Sequence, residues 1–322
     1  MNRYRLMHIT EFSYDAPVFE SFNEVRLRPM QDDRQSCLSF RLITDPAANA
    51  AAHFDYFGNY VHRFNIPQRH RALSVTADSV VLVEAPPPVP AGTPALSELS
   101  SFQDDMDEHA DFLQPTDYTP HTPQVRDLTA RAERDGDGTI AGFALAAMTL
   151  VHGTFRYEQG ATHVQSSIHD TLVIGAGVCQ DFAHILLAMM RCRGLPARYV
   201  SGYLVPRATE DGGSALEQVI GGQASHAWAE VYIPRAGWVG LDPTSGERTS
   251  LQHVRLAYGR DYGDVAPVRG VYKGEAGQHL CVDVRVRPAV DDDGREHLME
   301  HATVRSEEPP EEMSQQHEQQ QQ

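Results

Sequence analysis

The chain has 322 residues, enough for about two domains, and 41% of them are hydrophobic, enough to bury a real core. Its formal net charge is −17, and a surface that acidic repels phosphate backbones and anionic lipid, which argues against nucleic acid and membrane as partners. No apolar run approaches a membrane span, Met1–Ile9 lacks an apolar leader core, and Cys37, Cys179, Cys192 and Cys281 have no paired spacing, so the expected location is the reducing cytoplasm.

Residues 1–85 read as a β-rich domain, with alternating segments at Arg3–Tyr14, Glu24–Leu27, Leu38–Thr44, Val61–Ile66 and Leu73–Val83. Turn signals fall between them at Asp15-Ala16-Pro17, Asp45-Pro46 and Gly58-Asn59, and the expected form is a small β-sandwich. Ala85–Pro94 carries five prolines and reads as a linker, with an irregular surface crossing continuing to residue 120.

The second domain is expected over residues 121–290. Thr122 as N-cap with Pro123 behind it predicts a helix over Gln124–Arg134, and an apolar helix follows at Thr139–His152. Ser167 and Asp170 predict the start of a short helix that ends at Gly175. Cys179–Arg193 has helical apolar spacing (Phe182, Ile185, Leu186, Met189, Met190), with Gly194 as its stop. Strands are expected at Ala197–Val205, His226–Ile233 and Gly237–Leu241. A terminal hairpin strand at 291–305 and a disordered Gln-rich tail at 306–322 complete the chain, whose net charge from Ala289 onward is −8.

Three segments carry chemistry. Cys179 opens a helix after the turn Gly175-Ala176-Gly177, where the helix dipole favours a thiolate and backbone N–H groups point at an incoming oxyanion. His226 opens an alternating strand and shares a face with Trp228, Glu230 and Tyr232. Asp242 closes the next strand, across a turn at Pro234–Gly237. A turn centred between Arg235 and Ala236 does not place Asp242 in register with His226, so a bulge, or a His226 outside the ladder, is expected. Each residue alone has an ordinary structural role: a small buried thiol, a satisfied polar side chain, a turn carboxylate. Together, each at an element end, they form a Cys–His–Asp set for nucleophilic catalysis. The sixteen histidines show no HExxH spacing, and residues 289–300 fail an EF-hand at Ala289, so no metal or cofactor is expected.

Gly177-Val-Cys-Gln-Asp-Phe-Ala-His184, Arg191-Cys-Arg-Gly-Leu-Pro-Ala-Arg-Tyr-Val-Ser-Gly-Tyr203, Ser225-His-Ala-Trp228 and Gly237-Trp-Val-Gly-Leu-Asp-Pro-Thr244 together resemble the bacterial transglutaminase-like family. His8-Ile-Thr-Glu-Phe-Ser-Tyr14, Arg26-Leu-Arg-Pro29 and Phe57-Gly-Asn59 are similar to the β domain that precedes its core. The resemblance implies an α+β, papain-like core of helices on an antiparallel sheet, with catalytic roles at Cys179, His226 and Asp242. Trp228, Tyr203 and Gln180 are assigned to substrate binding. The expected reaction is hydrolysis of amide bonds in peptides or proteins through an acyl-enzyme. Transamidation and a non-catalytic binding scaffold are the alternatives, and oligomeric state is not readable.

Overall fold

The computed structural model describes residues 1–205 and 225–289. The predicted hairpin strand at 291–305 and the tail at 306–322 lie outside the described residues. The chain divides into two units, Met1–Val83 with Ala266–Gln322, and Glu84–Val265.

The first unit is an antiparallel half-barrel of seven strands: β1 (Asn2–Val25), β2 (Gln35–Asp45), β3 (Ala51–Phe54), β4 (Tyr60–Ile66), β5 (His70–Val83), β13 (Val268–Lys273) and β14 (Gln278–Pro288). Arg3–Tyr14 and Glu24–Leu27 were expected as separate strands, but β1 spans the first and runs on to Val25 in the second, and Asp15-Ala16-Pro17 lies within it rather than at a turn. The early part of β1 pairs with β5 and β14; its later part pairs with β4 and β13. Buried side chains follow even numbers through Tyr4, Leu6, His8, Thr10 and Tyr14, then odd numbers through Ser21, Asn23 and Val25. The switch falls where the β1–β13 register shifts, between Phe19 and Phe22, at Glu20 with φ 50. One extra residue there turns the strand's other face inward. Residues 266–289, expected in the catalytic domain, instead complete this half-barrel through an eleven-residue register from Tyr4↔Pro288 to Tyr14↔Gln278.

The second unit has helices packed on a five-stranded antiparallel sheet. The helices include α1 (Gln103–Asp107), α2 (Pro123–Asp135), α3 (Ile140–Thr154), α4 (Ile168–Ile174) and α5 (Cys179–Cys192), with one further turn of helix at Tyr262–Val265. The strands are β8 (Ala197–Leu204), β9 (Ser225–Ile233), β10 (Gly237–Asp242), β11 (Glu247–Arg248) and β12 (His253–Gly259), in the order β11-β10-β9-β8-β12. Thr122, Thr139 and Ser167 cap α2, α3 and α4 by accepting from Val125, Gly142 and His169 N–H groups, as their spacing predicts. Gly175, at φ 74, ends α4 in the left-handed conformation that favours glycine. Phe182–Met190 of α5 is entirely buried, so this helix is the axis of the core.

The segment from Leu96 to Pro120, expected as a surface crossing, contains two 3-10 turns besides α1 and buries Leu96, Met106, Phe112 and Thr119. Arg191 on α5 fastens it. Its guanidinium donates to Phe112 O (3.1 Å), Thr119 Oγ1 (2.8 Å), Ala197 O (2.8 Å) and Arg260 O. Burial pulls its pKa down to about 10, and these neutral acceptors satisfy the buried donors.

Candidate active site

Cys179 is the first residue of α5, placed by a short parallel contact between β6 (Arg156–Tyr157) and β7 (Ala176–Gly177) just upstream. Asp181, in the first turn, reaches back to accept from Val178 N–H at 2.8 Å, half of a capping box. The same carboxylate accepts from Thr162 Oγ1 at 2.5 Å, and Gln180 Nε2 donates to Val164 O at 2.9 Å. The chain before α4 is thereby tied to the turn that carries Cys179. Gly177 is required by close approach: a Cβ there would come within 2.7 Å of Asp181 Oδ2. Burial pushes the Asp181 carboxyl pKa up, opposed by the hydrogen bonds from Thr162 and Val178. Burial likewise raises the Tyr157 phenol, with the nearby Cys179 a second cause.

His226 and Asp242 meet through strand register. The β9–β10 pairs run Ile233↔Gly237, Trp238↔Tyr232 and Leu241↔Ala229. Three residues, Pro234 to Ala236, therefore form the connection, with Arg235 at φ 69. This register differs by one residue from the expected turn. It extrapolates to Asp242 opposite Trp228, on the face of His226 and diagonal to it, so neither the expected bulge nor a displaced histidine is needed.

His226 Nε2 lies 2.9 Å from Asp242 Oδ2, with both side chains fully enclosed. Burial alone would lower the imidazole pKa; the Asp242 charge and hydrogen bond, together with Cys179, outweigh it and push it up to about 10. Asp242 is the mirror case. Burial would raise its pKa, but His226 and His253 hold it far below the usual carboxylate range. With Nε2 committed to Asp242, His226 presents Nδ1, which is buried and has no hydrogen-bond partner of standard geometry. Asp242 Oδ1 accepts from Thr244 N–H at 2.9 Å, and Oδ2 from Ser245 Oγ at 3.0 Å. One carboxylate thus both caps the Pro243-Thr244 turn and orients the imidazole.

The other assigned residues lie differently. Trp228 is wholly buried, its ring 6.2 Å from His226 and 5.1 Å from His253, and it presses on Gly202, where a Cβ would come within 2.5 Å of the ring. Tyr203 is 1% exposed and pairs with Ser225. Neither side chain lines an open surface, and of the two only Trp228 packs against the site. Gln180 is next to Cys179, but its amide is committed to Val164 O. His253 was not singled out by its sequence pattern. It stands 3.4 Å from Asp242 Oδ2, and the only local signal is its place at the start of an alternating segment. The ligand atoms of His226, Asp242 and His253 lie within 4.8 Å of one another, a donor set of metal-binding type whose facing atoms are engaged in the hydrogen bonds just described. Among the described residues no helix is long and apolar enough to cross a membrane.

Residues 4–82 match the family described as the bacterial transglutaminase-like N-terminal region, and residues 126–243 match the transglutaminase-like superfamily core. An uncharacterized protein of Mycobacterium leprae is 36% identical over 286 residues, covering 89% of this chain and 99% of that one. An uncharacterized protein of Mycobacterium tuberculosis is 33% identical over 314 residues, covering 89% and 93%. A protein-glutamine gamma-glutamyltransferase of Pseudomonas aeruginosa is 33% identical over 85 residues, 26% of this chain and 12% of that one. A crystal structure from Cytophaga hutchinsonii, provisionally assigned as a cysteine protease, superposes with a TM-score of 0.65 at 20% identity, covering 95% of this chain and 98% of that one. The α+β core, the preceding β domain and these relatives identify the chain as a member of the transglutaminase-like superfamily, in the form that carries the bacterial N-terminal region.

Proposed function

We propose that this chain is a thiol enzyme that processes amide bonds of peptides or proteins, with Cys179 as nucleophile, His226 as base and acid, and Asp242 as the group that orients His226. The observation that carries this reading is the division of labour on His226: Nε2 is held by Asp242 at 2.9 Å, and Nδ1, which has no hydrogen bond of standard geometry, is the nitrogen left for Cys179, whose interaction with the ring helps raise its pKa. In this reading Nδ1 takes the thiol proton. The thiolate attacks the carbonyl carbon, and the oxyanion is met by the N–H groups at the start of α5. The tetrahedral adduct collapses as the imidazolium gives its proton to the leaving amine or ammonia, which leaves a thioester on Cys179. Water, or a second amine, then attacks the thioester and passes its proton to Nδ1, and the acid or new amide leaves as the thiolate reforms.

Hydrolysis is the favoured outcome, because water is always available and no acceptor-specific feature is readable. Transamidation is supported by the 85-residue similarity to the Pseudomonas protein-glutamine gamma-glutamyltransferase. Incubation with glutamine-containing peptides, with and without a primary amine, separates these outcomes by mass: peptide-bond cleavage, release of ammonia, or addition of the amine. Lys273 is the single lysine of the chain, so Lys273→Arg removes every ε-amine through which the protein could crosslink to itself. The expected result is a product that disappears in Cys179→Ala. Unchanged product formation in that variant removes Cys179 from the mechanism. A parent Cys179 that alkylates no faster than an ordinary thiol, with no product from any peptide, favours the non-catalytic scaffold.

A further inference from the structure

We propose that His253 is a positioning residue for the triad: its Nε2–H anchors the Asp242 carboxylate from a second strand and so holds it against His226. The geometry stands on its own; the consequence for thiol reactivity rests on the function proposed above. Ser250 N–H donates to His253 Nδ1 at 3.0 Å. A backbone N–H can only donate, so Nδ1 is an acceptor and the neutral ring carries its proton on Nε2. That nitrogen lies 3.4 Å from Asp242 Oδ2, at the long end of hydrogen bonding. The ring is held edge-on to Trp228, with centroids 5.1 Å apart and planes at 83°, and Trp228 is itself immobilised against Gly202.

His253 differs in kind from the other supports of Asp242. Thr244 and Ser245 belong to the same turn as the carboxylate and move with it. His253 opens β12, which pairs with β8, at the opposite side of the sheet order from β10. Without it, the carboxylate keeps only its local turn contacts and His226. A looser Asp242 holds His226 less firmly in the tautomer that keeps Nδ1 free to take the thiol proton.

Two substitutions separate a donor from a filler. His253→Gln places an amide N–H group where Nε2 stood, whereas His253→Leu keeps bulk and removes the donor. In protein labelled with ¹⁵N-histidine, the low-field proton of His226 Nε2–H should be seen in the parent and in H253Q and should broaden away in H253L. The alkylation rate of Cys179 at neutral pH, followed by mass spectrometry of its own peptide, should fall by about tenfold or more in H253L and return to within about threefold of the parent in H253Q. If H253L does not fold, His253→Asn replaces it with the same expectations, because its shorter amide stops short of Asp242. An unchanged low-field proton in the donor-less variant, or a glutamine variant as slow as the leucine one, overturns the proposal. A parent thiol of ordinary reactivity would instead count against the acyl-transfer reading, and the proton signal would still decide the role of His253.

Discussion

The two side-chain sets of the β9–β10 pair are chemically opposite and, toward Asp242, equally dry. Ala227, Ala229, Val231 and Ile233, with Val239 and Leu241, join the apolar core that includes α5. His226, Trp228, Glu230 and Asp242 alternate with them and are buried just as deeply; Ala229 and Asp242 are both at 0%. What differs is the term that offsets the loss of water. On the apolar set it is area and dispersion, which any well-shaped hydrocarbon can supply. On the polar set it is a specific partner for each carboxylate. Glu230 takes Arg198 Nε at 2.8 Å and Arg255 at 3.5 Å, while Arg198 lies between the rings of Trp238 and Tyr258, at 4.2 and 3.8 Å. Errors in the first set leave cavities; errors in the second leave charges unpaired. The His226–Asp242 pair stands at the end of the polar set.

The most severe way to break this division is to remove Arg235. If the connection keeps three residues, Gly237 enters it, Trp238 comes opposite Ile233 and β10 slips by one against β9. Asp242 would then join the apolar set and Leu241 the polar one. Turnover should fall below detection, Cys179 should alkylate as an ordinary thiol, and the melting temperature should drop by more than about 10 °C. Near-parent turnover would mean that the register is set elsewhere.

Asp242→Asn is the next largest expected effect. Its amide can turn an NH₂ toward His226 and select the wrong tautomer, so turnover should fall by about 10³-fold. Because Oδ1 also caps the turn through Thr244 N–H, a stability loss of about 1–2 kcal/mol should accompany it. That loss should depend on pH. The folded pKa of His226, about 10, lies above its ordinary value, so its contribution is complete below about pH 6.5 and fades as pH rises through 10. The pKa of Asp242 is depressed, so its share is present above about pH 4 and fades on acidification. Urea melts of parent and variant should therefore differ most between about pH 4 and 6.5 and converge toward pH 10. A gap that widened with rising pH would rule out the ion pair as its source.

Leu241→Ala tests the neighbouring residue on the opposite set. Leu241 is fully buried, so the variant should lose about 2–5 kcal/mol of stability while keeping the Cys179 alkylation rate within about twofold where it remains folded. A thiol slowed as much as in D242N would show that core volume and the site are coupled.

Cys179, His226 and Asp242 were readable in the sequence as candidates because each stands at an element end, the first just after Gly177 and the last just before Pro243. The helix caps were readable for the same reason. The β9–β10 register was misread because its connection depends on Arg235 at φ 69, a conformation that residue type does not announce. His253 escaped notice because its approach to Asp242 depends on β12 joining β8 rather than β10, and no spacing encodes that. Residues 266–289 were placed in the wrong unit for a related reason. Their alternation says strand, but only the length of β1, with room for partners along both edges, says where the strand goes.

The smallest expected effect tests whether loop length, and not the identity of Arg235, sets which face Asp242 occupies. Arg235 is exposed, and its guanidinium sits 5.5 Å from the Phe102 ring centroid. Glycine would relieve about 1–2 kcal/mol of left-handed strain. It would forfeit about 0.5 kcal/mol of cation–π attraction and gain about 0.4–1 kcal/mol of unfolded-chain freedom to lose on folding. These terms nearly cancel, so Arg235→Gly should change stability by less than about 0.5 kcal/mol and leave turnover at the parent level. Arg235→Val has the same loop length but a branched side chain at positive φ, and should cost about 1 kcal/mol or more with turnover per folded molecule still unchanged. Three loop residues remain in both variants, so Asp242 stays on the His226 face. Loss of turnover in the glycine variant would show that the arginine itself holds the register.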